Sequence, residues 1–236
     1  LVGYDGTSNV RIAPGDIGGG GATDLNGLSD VVVNNTDGNA YFINIPSNRS
    51  GDLGNLTIGK NSLDALTSGK YNTAIGEQAL NSLTTSEGVT AIGHQAGGAS
   101  GTNLMGGATL IGRNAGFGRS GSRNVAVGDS PMSFGQGKTA VNRNTAIGYH
   151  ALYRIDTNGA DNIAIGHETS QFLTTAAANI AIGDNAARSS AAFGQISIGY
   201  QAGYSNTTGT RNVYLGYRTG YSNTTSQHNT SVGYQA

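Results

Sequence analysis

Asn144-Thr145-Ala146-Ile147-Gly148 is one copy of a phrase that returns through the C-terminal three quarters of the chain, and its reading decides the fold. Aligned on their glycine, the copies fall at Gly59, Gly76, Gly93, Gly112, Gly128, Gly148, Gly166, Gly183, Gly199, Gly216 and Gly233. These eleven copies are spaced by 16 to 20 residues. A period this short, held for so long, predicts a solenoid in which each copy is one coil. The expected fold is all-β, a parallel β-roll of about eleven short coils. At the ordinary strand spacing, ten intervals make a rod of about 50 Å.

Composition bounds the rest. The 39 glycines among 236 residues are about twice ordinary usage, but they lack the every-third-residue period of collagen and so belong to turns. Only 11% of residues are charged and the net charge is -1, so bulk electrostatics attract neither nucleic acid nor an anionic membrane. The absence of cysteine excludes a disulfide framework and thiol catalysis. Apolar runs extend for a few residues, far short of the roughly 20 that span a bilayer, so no membrane insertion is expected. Opening on Leu1 and closing inside a repeat at Ala236, the sequence reads as a fragment or processed form.

Within each copy the residue before the glycine is aliphatic, as in Ile75, Ile147, Ile165 and Ile182, and the residue two earlier is Leu, Val, Ile or Thr. These two share a side-chain direction in a strand and are expected to form the buried face. The residue between them is small in most copies, as in Ala74, Ala146, Ala164 and Ala181, with Leu110 and Tyr214 as outliers. This small row predicts close approach by another chain. Eight copies open with asparagine, including Asn72, Asn144, Asn162 and Asn179. Stacked asparagines form amide ladders, and asparagine also tolerates a left-handed corner. The glycines, Gly76, Gly148, Gly166 and Gly183 among them, imply a positive φ or a close backbone approach. Alanine often follows three residues after the glycine, where a second short strand is expected to start.

Residues 1–54 lack the repeat. Val31-Val32-Val33 and Tyr41-Phe42-Ile43-Asn44-Ile45 read as strands bounded by turn residues, with residues 34–38 as their loop. The segment is expected to be a small β module, or an extended strand-exchanging collar, that joins the repeat region, residues 55–236, to something else.

The repeats carry a resemblance. Asn-Ile-Ala-Ile-Gly at 162–166 and 179–183, and Asn-Thr-Ala-Ile-Gly at 72–76 and 144–148, resemble the head repeats of trimeric autotransporter adhesins. That resemblance implies a left-handed parallel β-roll in which three chains pack side by side, hence a homotrimer. The longer period and the Gly-Tyr-Gln-Ala phrases at 199–202 and 233–236 are more similar to repeat regions of bacteriophage tail fibres, which often carry a C-terminal self-cleaving chaperone. The segment Asp24 to Asp30 looks like the non-repeat part of marine phage structural proteins.

Candidate chemistry is sparse. Tyr200, Tyr204, Tyr217, Tyr221 and Tyr234 occupy two repeat positions on successive coils and are expected to form ladders, a possible contact surface for a host glycan or protein. His94 and His167 share the position after the glycine, but four intervals separate them, so within one chain they cannot share a metal. Asp156 to Asp161 and Asp24 to Asp30 resemble pieces of calcium loops without the terminal glutamate, and read as turns. Gly18 to Gly21 lacks the context of a phosphate loop. Asn206-Thr207-Thr208 and Asn223-Thr224-Thr225 are glycosylation acceptors only along a eukaryotic secretory route. No catalytic, cofactor or metal residue is assigned, and no enzyme activity is expected. The leading expectation is a structural segment of a phage tail fibre or virion appendage that supports host attachment. The alternative is a bacterial trimeric surface adhesin head, located on the extracellular surface. A polysaccharide-cleaving tailspike stands third, since it needs two carboxylates at a defined separation.

Overall fold

The computed structural model describes residues 54–98, 106–118, 121–133, 141–155, 159–173, 177–190 and 192–236, together with the backbone of 31–34 and 40–43. The turn clusters at Asp24 to Asp30 and Gly18 to Gly21, and the 35–38 part of the expected loop, lie outside the described residues. The chain is an all-β parallel solenoid. Strands β1 (Val31–Asn34) and β2 (Ala40–Ile43) pair antiparallel, and Ile43 pairs with Ile58 of the first repeat strand. Eleven three-residue strands follow, one per repeat: β3 (Leu56–Ile58), β4 (Thr73–Ile75), β5 (Thr90–Ile92), β6 (Thr109–Ile111), β7 (Val125–Val127), β8 (Thr145–Ile147), β9 (Ile163–Ile165), β10 (Ile180–Ile182), β11 (Ile196–Ile198), β12 (Val213–Leu215) and β13 (Thr230–Val232). Each is parallel to the next and in strict register, so Ala146 lies beside Ala164 and Ile147 beside Ile165. Among the described residues there is no helix, and so none long and apolar enough to cross a membrane.

The strand faces are the reverse of the expectation. The middle residue points into the coil: Ala74, Ala91, Ala126, Ala146, Ala164 and Ala181 are fully buried. The aliphatic row that includes Ile75, Ile147, Ile165 and Ile182 points outward and is only partly covered, Ile147 being 37% exposed. The reason is volume. A coil of 16 to 20 residues encloses a narrow interior that must also hold side chains from its turn side. There Leu80, Leu83, Leu152, Ile155 and Leu173 are fully buried, and they fill the space that alanine leaves.

The two middle-row outliers keep the same balance. Four residues after the repeat glycine stand Leu80, Met132 and Leu152 in coils whose middle residue is Ala74, Ala126 and Ala146. Where the middle residue is Leu110 or Tyr214, that position is Gly116 or Gly220. A Cβ on Gly116 would sit 2.9 Å from Leu110 Cδ2, and one on Gly220 would overlap the Tyr214 ring. Gly203, one coil earlier, is likewise shaped around Tyr214, whose Cδ2 would meet an added Cβ at 2.8 Å.

The expected second strand is absent from the described residues. In its place the chain turns through left-handed residues, such as Gln78 (φ 57°) and Leu80 (φ 50°) on either side of buried Ala79. Backbone bonding between coils nevertheless continues through the turn, from Gln78 N–H to Lys60 O (2.8 Å) and from Leu80 N–H to Ala96 O (2.9 Å). The corner asparagine is not the left-handed residue; the residue before it is, as at Tyr71, Arg143, Asp161 and Ala178 (φ 56–59°). When the corner is Val89, Ala108 or Gln195 instead, the preceding residue is Gly88, Gly107 or Gly194.

Candidate functional site

The asparagine column forms the expected ladder in the interior. Asn162 donates from Nδ2 to Asn144 Oδ1 (3.0 Å), and Asn179 repeats the contact to Asn162 Oδ1 (3.0 Å). The same Oδ1 atoms accept the next coil's backbone N–H, from Asn162 at 3.0 Å and Asn179 at 3.1 Å. Asn72, whose counterpart on the next coil is Val89, likewise accepts from that residue's N–H (2.9 Å) and donates to Ser86 O (2.9 Å). These amides are buried, and their donors are spent on the fold, so the column is structural. The repeat glycines from Gly59 to Gly216 combine the positive φ and the close backbone approach expected of them. Gly183 has φ 128°, and a Cβ there would lie 2.6 Å from the carbonyl oxygen of Gly199.

Beyond the glycine lies a surface of three parallel rows, defined by the first, second and fifth residues after it. Ring contacts tie the rows together. Tyr149 of the first row stacks on His150 of the second at 3.9 Å, and His150 stacks on Tyr153 of the third at 4.2 Å. The guanidinium of Arg218, second row, lies 4.1 Å from the centroid of the Tyr221 ring, third row. Burial pushes the His150 imidazole below its ordinary pKa, opposed by the carboxylates of Glu168 and Asp129.

The five tyrosines singled out in the sequence all lie on this surface and form two ladders. Tyr200, Tyr217 and Tyr234 stack at 5.2 and 5.0 Å with near-parallel rings, and Tyr204 stacks on Tyr221 at 5.2 Å. Three further pairs of neighbouring rungs in the first row meet by charge or ring. Arg113 holds Asp129 (2.9 Å), His167 Nδ1 lies 3.4 Å from Asp184, and Tyr149 stacks on His167 at 5.3 Å. The Ser130 hydroxyl, with Arg113 behind it, holds the Asp129 carboxyl below its ordinary pKa. His94 and His167 stay on separate coils, and among the described residues no three His, Asp or Glu converge on a metal-sized site. In the sequence read as a calcium-loop fragment, residues 156–158 lie outside the described residues. Asp161 forms a bidentate pair with Arg143 at 2.6 and 2.8 Å, which lowers its pKa. Asn206 of the first glycosylation triplet is fully buried and bonded to Gly209, so in the folded chain it is closed to a glycan.

Residue reading alone missed the partners of the ladder. Arg188 lies 5.1 Å from the Phe172 ring centroid and 5.8 Å from that of Tyr204, and its Nε reaches Glu168 at 3.3 Å. The signal is present in the sequence, because Arg188, Tyr204 and Tyr221 share one offset from their glycines. Compared with protein-family models, with curated proteins and with solved structures, the chain matches none.

Proposed function

We propose that this chain is a structural shaft segment of a phage tail fibre or comparable virion appendage, assembled as a side-by-side homotrimer that supports host attachment. One observation carries the reading. The outward face of β3 to β13 is a continuous double row of Leu, Ile, Val and Thr without a charged residue, aligned rung by rung along the roll. Large contiguous apolar faces on soluble chains mark association sites, and a repeated in-register row suits copies of itself in the same register. The partner thus meets the aliphatic row rather than the alanine row, which is inside the coil. The N-terminal segment, joined to the roll through the pairing of β2 with β3, serves as the attachment to neighbouring virion proteins. The exposed aromatic surface also favours the second reading, a bacterial adhesin head of the same architecture on the cell surface.

Light scattering on a sizing column tests the assembly. A trimer of 23.9 kDa chains has a mass of about 72 kDa, and slow unfolding should let it persist in unboiled detergent electrophoresis. A monomer would overturn the shaft reading.

A further inference from the structure

We infer that the aromatic strip on the last coils is a binding site for an extended, unbranched hexopyranose polymer. The inference stands on the exposed strip and not on the number of chains in the assembly. Tyr200 and Tyr217 remain 42% and 40% exposed although each stacks on a neighbour, so the ladder is open to solvent. Gln201, Arg218 and Gln235 run beside it as the second row, and Tyr204 and Tyr221 form the third. The strip thus sets a row of amide and guanidinium donors between two aromatic rails. Sugars call for that combination, since each ring pairs an apolar C–H face with a rim of hydroxyls.

Period and charge select among polymers. The rungs repeat every 5.0 to 5.2 Å, and an extended chain of pyranose rings advances by close to one ring per rung. A polymer in step with the ladder makes the same contact at each coil, so affinity grows with chain length. An extended peptide advances about 6.6 Å per two residues and falls out of step. Nucleic acid needs clustered cations to neutralise its phosphates. Between residues 192 and 236 the only charged residues are Arg211 and Arg218, with no Asp, Glu or Lys. Asp184, on the rung beside Tyr200, is a neighbouring carboxylate that already faces His167, so both neutral and acidic chains belong in the test.

With no tryptophan, the emission comes from eleven tyrosines of which five are on the strip, so the part of the change that is lost in Tyr217→Ala assigns the signal to the ladder. The probes are unbranched hexamers and dimers of β-1,4-linked glucose and of β-1,4-linked mannuronate, titrated into the intact chain with calorimetry in parallel. The expected result is saturable binding of a hexamer, at least tenfold weaker for its dimer, and weakened at least tenfold by Tyr217→Ala. Tyr71→Ala, on another column, should bind as the parent does. Circular dichroism and melting of both variants separate a lost contact from a lost fold. Two results overturn the inference: neither hexamer binds at millimolar concentration, or a well-folded Tyr217→Ala binds as tightly as the parent. A trimer that ignores both hexamers would remove the glycan site and leave the shaft reading standing.

Discussion

Individual residues in this roll accept backbone conformations that their side chains disfavour. Non-glycine residues such as Leu80, Leu152, Arg143 and Ala178 sit at φ between 49° and 57°, a region that costs an L-residue of the alanine type about 1–2 kcal/mol. They are held there by bonds to the adjacent coil; Arg143 N–H reaches Ser122 O at 3.0 Å, and Ala178 N–H reaches Ala160 O at 3.1 Å. At Ala178 the side chain contributes little beyond its methyl, and Gly54, Gly88, Gly107 and Gly194 fill the same place in other coils. Ala178→Gly should therefore stabilise the chain by about 1 kcal/mol, the opposite of the usual effect of adding glycine. Thermal melting checks this, and a lower midpoint than the parent would show that the left-handed strain is relieved in some other way. Read one copy at a time these positions were not legible, although glycine at the equivalent place in other coils marks them. The reader of a sequence sees a left-handed turn when glycine fills it, not when arginine, leucine or aspartate does.

At the scale of the coil, stability rests on matching two positions that lie across a narrow interior. Tyr214 is buried with its hydroxyl accepting from Asn223 Nδ2, and Gly220 leaves room for the ring. Burial raises the Tyr214 phenol above its ordinary pKa, and the Asn223 contact only partly offsets this. Tyr214→Ala alone should cost about 3–5 kcal/mol for the cavity and the lost contacts. Gly220→Leu alone should cost about 1–3 kcal/mol or more by overpacking against the ring. Combined, they rebuild the pairing of Ala74 with Leu80 and of Ala146 with Leu152, where leucine already holds φ 49–50°. The double variant should be more stable than either single one, with a coupling of about 2–3 kcal/mol measured by denaturant unfolding. Additive losses would show that the two sites do not share a space. This pairing could have been read from the sequence, because Leu110 with Gly116 and Tyr214 with Gly220 are the same exchange made twice. The trace is partial, because Ala91 with Gly97 and Ser197 with Gly203 pair two small residues.

For the whole molecule, the repeat period, the glycine column and the amide ladder were legible because each depends on one residue type recurring at one position. The direction of the strand was not, because a three-residue strand with apolar or small residues on both faces offers no hydrophobic alternation to orient it. The outward direction of the aliphatic row sets the surface on which the proposed trimer would pack. The outward row leaves Ile165 between Ile147 and Ile182 on adjacent strands, part of an apolar ridge that runs the length of the roll. In an isolated roll, Ile165→Asp changes a partly exposed side chain and should cost well under the several kcal/mol of a core substitution. In a side-by-side trimer it places a carboxylate in each chain where apolar rows meet, a burden that an association built on dry packing cannot carry. Ile165→Asp should therefore shift the light-scattering mass from about 72 kDa towards the 23.9 kDa of one chain, with the far-ultraviolet dichroism of the roll retained. Ala164→Asp, one residue earlier and fully buried, should instead disrupt the coil itself. If Ile165→Asp remains a trimer, the chains meet through another face; if it unfolds, the outward row is needed within a single roll.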